Sequence, residues 1–129
     1  MPWSVRAVPL PDGDQPADLW IDATGCVSAG PVPDAEPLPG RYVAPGLVDA
    51  HAHPCVGPGP AARNRAETLL AEHGLPLAAA TTTGYRFLGE PFDQPGRPAT
   101  LVTYQDDPRD DLEVLSSPSA VLIDGIRVR

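Results

Sequence analysis

Proline is the feature of this sequence that most restricts its fold. The chain has 18 prolines and 12 glycines among 129 residues. Both residue types interrupt helices, and proline also lacks the N–H that a strand donates to its neighbour, so long regular elements are excluded over most of the chain. Because 42% of the residues are apolar, one buried core is still within reach. The sequence therefore predicts a single domain of short strands joined by many turns.

The first forty residues alternate between strand-like runs and turn signals. The run Pro11–Asp14 is a strong turn signal, and Gly25 supplies the backbone angles of a second turn. Residues 30–40 contain four prolines and are expected to form an extended surface connection. The strands predicted around these turns are 3–10, 17–22 and 25–29.

The second half of the chain predicts a small helical insert followed by more strands. A helix is expected from Asn64 to Gly74, where Glu67 completes a capping box, with a weaker candidate over 77–88. A short acidic helix is expected over 109–115. Helices between two sets of strands favour one sheet in which both ends of the chain pair. The later strands are predicted at 99–104, 120–124 and 126–129, the last two around the hairpin signal Asp124–Gly125.

The run Tyr42–Pro54, YVAPGLVDAHAHP, points to metal chemistry. Side chains alternate along a strand, so His51 and His53 are expected to point to the same side, where both can hold one divalent cation. Asp49 shares that side but is short, so it reaches a shared ion only if the strand relaxes. His73 ends a predicted helix, where the helix dipole and solvent account for it better than a metal does.

Two histidines are fewer ligands than a catalytic zinc requires. Such sites use three protein ligands and leave one position open for water. The residues alone therefore leave two interpretations of His51 and His53 open. They are a retained pair with no metal in place, or a weak site for zinc, nickel or copper.

Residues 3–54 resemble the start of the amidohydrolase superfamily, in particular members of the imidazolonepropionase/prolidase type. These metal-dependent hydrolases cleave non-peptide C–N bonds, and they begin with a small β-sandwich that ends in PGLVDxHxH, here PGLVDAHAH. Residues 73–129 resemble the return from the last barrel helix to that sandwich, through DPRDDLEVL and DGIRV. One departure is Thr100, where the family usually has aspartate.

The resemblance implies a mainly β fold with a small α insert, in which strands from both ends form a composite β-sandwich or pseudobarrel. It implies zinc as the metal, held by His51 and His53. The corresponding division of the chain is N-terminal strands at 1–50, a barrel remnant at 51–96 and C-terminal strands at 97–129.

The resemblance also implies that most of the barrel is missing. A complete barrel takes about 250 residues, whereas roughly residues 54–72 separate the two similar blocks. The family's other ligands, a carboxylated lysine, two further histidines and an aspartate, have no counterparts, and the chain contains no lysine. We therefore predict no catalytic and no cofactor-binding residue beyond the histidine pair.

Three functions remain open. The first is an amidohydrolase-like protein that is inactive as an isolated chain. The second is a small hydrolase completed by forming a homo-oligomer. The third is a non-catalytic binding or scaffold module that pairs with a full-length relative. The substrate is not predicted, since the loops that select it belong to the missing segment.

The charge pattern excludes some partners. The net charge is −8 and all nine basic residues are arginines, which argues against nucleic acid. No apolar run approaches the roughly 18 residues that cross a bilayer, and no signal-type block precedes Trp3, so we expect no membrane association and a cytoplasmic location.

We expect structural roles for the cysteines, for the acidic residues near the C-terminus and for three aromatic residues. Cys26 and Cys55 lack metal-type spacing and are expected to be free thiols. The acidic residues of 106–113 are expected to be a solvated helix start rather than a cation site. The aromatic residues Trp3, Trp20 and Tyr104 are expected to pack in the sheet.

Overall fold

The computed structural model describes residues 1–46 and 93–129. Within these ranges the chain is mainly β, which confirms the predicted fold class at that level. A single 3₁₀ helix, Leu112–Ser116, is the helical element of the described residues. The strands are β1 (Trp3–Pro9), β2 (Ala17–Ile21), β3 (Val27–Ser28), β4 (Glu36–Pro37), β5 (Tyr42–Pro45), β6 (Leu101–Tyr104), β7 (Ala120–Ile123) and β8 (Ile126–Arg127). The predicted helices at 64–74 and 77–88 lie outside the described residues.

Strands from both ends of the chain share one sheet. Its order is β3-β2-β1-β5-β6-β7-β8, and β4 pairs with β1 beside this path. Strand β5 runs parallel to β1 and antiparallel to β6, with Tyr42 opposite Tyr104. The first and last parts of the chain therefore meet at the β5–β6 pair.

The sheet curls so that the turn between β2 and β3 reaches the residues just before β6. The N–H of Val27 donates to the carbonyl of Arg97 at 2.8 Å, and the N–H of Ala99 donates to the carbonyl of Gly25 at 2.9 Å. Cys26 and Pro98 form an isolated bridge between these bonds. The N–H of Gly125 donates to the carbonyl of Ala99 at 2.8 Å and brings the last hairpin to the same place.

The concave side of the curled sheet holds the main core. Strand β1 contributes every second residue to it, as the period of two in a strand requires. The indole N–H of Trp3 is buried and donates to the carbonyl of Gly125 at 3.1 Å, so this ring packs without leaving a polar atom unpaired. The members of this core are Trp3, Val5, Ala7, Ile21, Val27, Leu38, Val43, Ala99, Leu101, Ala120 and Leu122.

A second, smaller cluster covers the other face of β5 and β6. Its buried members are Leu10, Ala44 and Tyr104, and the 3₁₀ helix contributes Val114 and Leu115 to it. Both faces of the β5–β6 pair are thus covered. Strand β5 is apolar over 43–45 because it is buried from both sides.

Two segments differ from the expectations set by the sequence. Residues 30–40 are not only a surface connection, because β4 pairs with β1 and Leu38 is buried. Proline permits this, since the N–H groups of Glu36 and Leu38 donate to the carbonyls of Pro2 and Ser4 at 3.1 and 2.8 Å, and the N–H that Pro37 lacks is not needed for this pairing.

The acidic segment forms a 3₁₀ helix over 112–116 rather than a helix over 109–115. The side chain of Asp107 accepts a bond from the N–H of Arg109 at 2.9 Å and holds that stretch in a turn. Asp111 then has extended backbone angles, and its side chain accepts a bond from the N–H of Glu113 at 2.9 Å. Asp111 is therefore the N-cap, and the 3₁₀ helix begins at Leu112.

Candidate metal site beyond strand β5

Strand β5 precedes the predicted metal-binding histidines in the sequence. It lies between β1 and β6, and Val43, Ala44 and Pro45 are buried. The N–H of Gly46 donates to the carbonyl of Thr100 at 3.1 Å, which fixes the end of the strand against the chain that enters β6. Gly46, the last described residue before the predicted ligands, therefore has a defined place in the sheet.

The predicted ligands themselves lie outside the described residues. This applies to His51 and His53, to Asp49 and His73, and to the second cysteine, Cys55. The metal site stays a prediction. In residues 1–46 and 93–129, no group of three or more histidine, cysteine, aspartate or glutamate residues is placed to hold a metal ion.

Thr100 has a structural role where the chain enters β6. Its hydroxyl accepts a bond from the N–H of Asp124 at 3.1 Å and lies 3.3 Å from the Asp124 carboxylate. The hydroxyl thus stabilises the turn Asp124–Gly125, whose residues have φ of 50° and 79°. Threonine at this position supplies the polar contact between β6 and the last hairpin.

Arg109, which is ion-paired within the loop after β6, joins that loop to the loop after β1. The guanidinium of Arg109 contacts the Asp107 carboxylate at 2.7 Å, and it also donates to the carbonyls of Pro11 and Gly13 at 3.1 and 2.6 Å. The side-chain hydrogen bond from Arg109 holds the pKa of Asp107 below its usual value, and the same bond raises the pKa of Arg109. Asp107, expected from the sequence to be part of a solvated helix start, is instead paired with the arginine that holds these two loops together.

The turn between β2 and β3 is organised by Asp22. Its carboxylate accepts bonds from the hydroxyl of Thr24 at 2.6 Å and from the N–H of Cys26 at 3.2 Å. These bonds, the one from Thr24 first, lower the pKa of Asp22. Gly25 completes the turn with a φ of 85°, as predicted. Cys26 is a half-buried free thiol at the bridge to Pro98, which is a structural position.

The aromatic residues pack in the sheet. Trp3 and Tyr104 are buried in the two clusters, and Trp20 is half-buried on β2. Burial raises the pKa of the Tyr104 phenol. These side chains contribute to packing, and none of the three forms an exposed platform for a ligand.

Comparisons with protein-family models, with curated proteins and with solved structures each found no match. A search of residues 1–46 and 93–129 for a helix long and apolar enough to cross a membrane gave none.

Proposed function

We propose that this chain is a β-domain of the amidohydrolase lineage that holds a histidine pair and has no hydrolytic activity by itself. The observation that carries the proposal is the place where residues 47–92 join the sheet. Strands β5 and β6, which precede and follow these residues in the chain, pair with each other, and the N–H of Gly46 donates to the carbonyl of Thr100. In the family that the sequence resembles, the barrel is inserted between the N- and C-terminal strands of a small β-domain in this way.

The absence of activity follows from the ligands that the chain supplies. Hydrolysis by zinc needs a bound water whose pKa falls to about 7, held by three protein ligands that leave a position open. His51 and His53 supply two imidazoles, and Asp49 is the nearest carboxylate in sequence. The family's remaining ligands, a carboxylated lysine, two further histidines and an aspartate, have no counterparts in this sequence. This donor set does not fit a catalytic zinc, and we assign no reaction step to it.

The expected property of the pair is weak binding of a divalent cation. Two neutral imidazoles on one side of a strand hold such an ion with the remaining positions left to water. Binding is expected to weaken below the usual histidine pKa of about 6.5, because a protonated imidazole cannot act as a ligand.

The proposal is tested by zinc dialysis and hydrolysis assays on the same protein. We expect weak zinc binding by the wild-type chain and loss of that binding in the variant His51→Ala/His53→Ala. The matched control is His73→Ala, which removes the one other histidine of the chain and is expected to bind as the wild type does.

The assays use a panel of cyclic amides with and without added zinc. We expect rates equal to those in buffer for all three proteins. Zinc-dependent turnover that disappears in the double variant would contradict the proposal. Zinc binding that survives in the double variant would show that His51 and His53 are not the zinc ligands.

A further inference from the structure

An open apolar groove lies at the end of the sheet formed by β8 and the start of β1. Its volume is about 540 Å³. Ile126 and Val128 are 68% and 58% exposed there, and Met1 is 64% exposed. Large apolar side chains grouped at such exposure mark a surface that gains from being covered. The groove is lined by Met1, Trp3, Gly125, Ile126, Arg127, Val128 and Arg129.

The groove is also basic, although the chain as a whole carries a net charge of −8. The guanidinium of Arg127 lies 5.9 Å from the centre of the Trp3 ring. Its Nε donates to the carbonyl of Arg129 at 2.8 Å. These contacts hold a cationic group above apolar side chains and leave its outer nitrogens for an acidic partner.

A segment with the complementary chemistry lies elsewhere on the same chain. Residues 110–113, Asp-Asp-Leu-Glu, are all exposed, and Leu112 is 42% exposed between its acidic neighbours. The 3₁₀ helix that begins here packs on the second cluster, whereas the groove borders the main core at Trp3. The acidic segment and the groove therefore belong to opposite faces of the sheet.

We propose that the acidic segment 110–113 of one copy docks in the groove of a second copy, with Leu112 against Ile126 and Val128. The acidic side chains then face Arg127 and Arg129. A symmetric contact between two grooves is disfavoured, because it would place arginines opposite arginines. The proposed contact is head-to-tail, so it extends into rings or chains as concentration rises. It does not depend on the proposed function.

The first test is sedimentation of the full chain over a concentration range up to about 1 mM, since so small a contact belongs with weak interfaces. We expect the average mass to rise with concentration and to fall again in high salt, because charge pairs contribute to the contact. A chain that stays monomeric throughout would overturn the proposal.

Two blocked variants make the test specific. Arg127→Glu/Arg129→Glu reverses the charge of the groove, and Asp110→Arg/Glu113→Arg reverses the net charge of the segment without changing the capping residue Asp111. All four side chains are exposed, so folding is expected to be retained, and circular dichroism checks this. The matched controls are Arg41→Glu and Asp14→Arg, at exposed positions outside both surfaces.

Each blocked variant alone is expected to remain monomeric, while the controls associate as the wild type does. In a mixture, the unchanged acidic segment of the groove variant can dock in the unchanged basic groove of the segment variant. The two surfaces with reversed charge also complement each other. Mixing them is therefore expected to restore association. Failure of the mixture to associate, or association of either blocked variant alone, would overturn the proposed pairing.

Discussion

Substitution of Gly125 by alanine tests how the two ends of the chain are joined. Gly125 has a φ of 79°, and a Cβ there would lie 2.6 Å from the carbonyl oxygen of Gly25 and closer still to its Cα. The neighbouring atoms are main chain, so no side chain can rotate away. The substitution therefore forces the turn between β2 and β3 apart from the last hairpin.

The expected cost has two parts. An alanine held at a left-handed φ costs about 1–2 kcal/mol. Overpacking against a fixed neighbour adds about 1–3 kcal/mol. Gly96 is the matched control, because its φ is 87° and a Cβ there meets nothing within 4 Å. Gly96→Ala thus has the first cost without the second.

Urea unfolding followed by circular dichroism measures the difference. We expect Gly125→Ala to lose about 2–5 kcal/mol of unfolding free energy and Gly96→Ala about 1–2 kcal/mol. For a domain whose total stability is about 5–15 kcal/mol, the larger loss is easily resolved. Equal losses in the two variants would refute the close approach of Gly25 and Gly125.

Three further substitutions probe the same fold by urea unfolding. Leu122→Ala, at a position with no exposure, is expected to cost about 2–5 kcal/mol, and a loss below 1 kcal/mol would contradict its place in the core. Thr103→Val removes a buried hydroxyl that donates to the carbonyl of Pro39 at 2.5 Å, so it is expected to cost about 1–3 kcal/mol, more than Thr100→Val at a partly exposed site. The pKa of Asp107 is lower in the folded state, so its contribution to the free energy of unfolding is present above the unfolded pKa of about 3.9 and is lost as the pH falls through the folded pKa. Asp107→Asn is expected to flatten this dependence of stability on acid pH, and an unchanged profile would refute it.

Local signals in the sequence predicted the strands and turns that depend on neighbouring residues. The Asp124–Gly125 hairpin and the Gly25 turn follow from the need for positive φ, and β1 follows from its β-rich composition. Each of these elements depends on residues that are close together in the chain. The sequence was therefore sufficient to predict them.

Contacts between distant residues were not predictable in the same way. The bridge from Cys26 to Pro98 depends on how far the sheet curls, and no pattern among neighbouring residues predicts that curvature. The pairing of β4 was not predicted, because four prolines in 30–40 indicate a surface connection. The N–H groups that pair belong to Glu36 and Leu38, which are not prolines. The later start of the 3₁₀ helix depends on Asp107 and Arg109, whose side chains stabilise a turn instead.

The metal site was predicted from spacing and family resemblance alone. His51 and His53 follow β5 by a few residues, and the sheet fixes where that strand ends. The structure of the described residues fixes the position of Gly46 in the sheet. Residues 1–46 and 93–129 by themselves hold no group of three or more potential ligands placed for a metal ion.

A crystal structure of the zinc-soaked protein, with anomalous data at the zinc edge, tests the central claim most directly. The claim is that the sheet built from both ends of the chain presents His51 and His53 to one cation. We predict a zinc peak about 2.0–2.1 Å from one ring nitrogen of each histidine, with no third protein ligand. Histidines on opposite sides of the chain, or a zinc ion with a complete set of three or four protein ligands, would contradict the account.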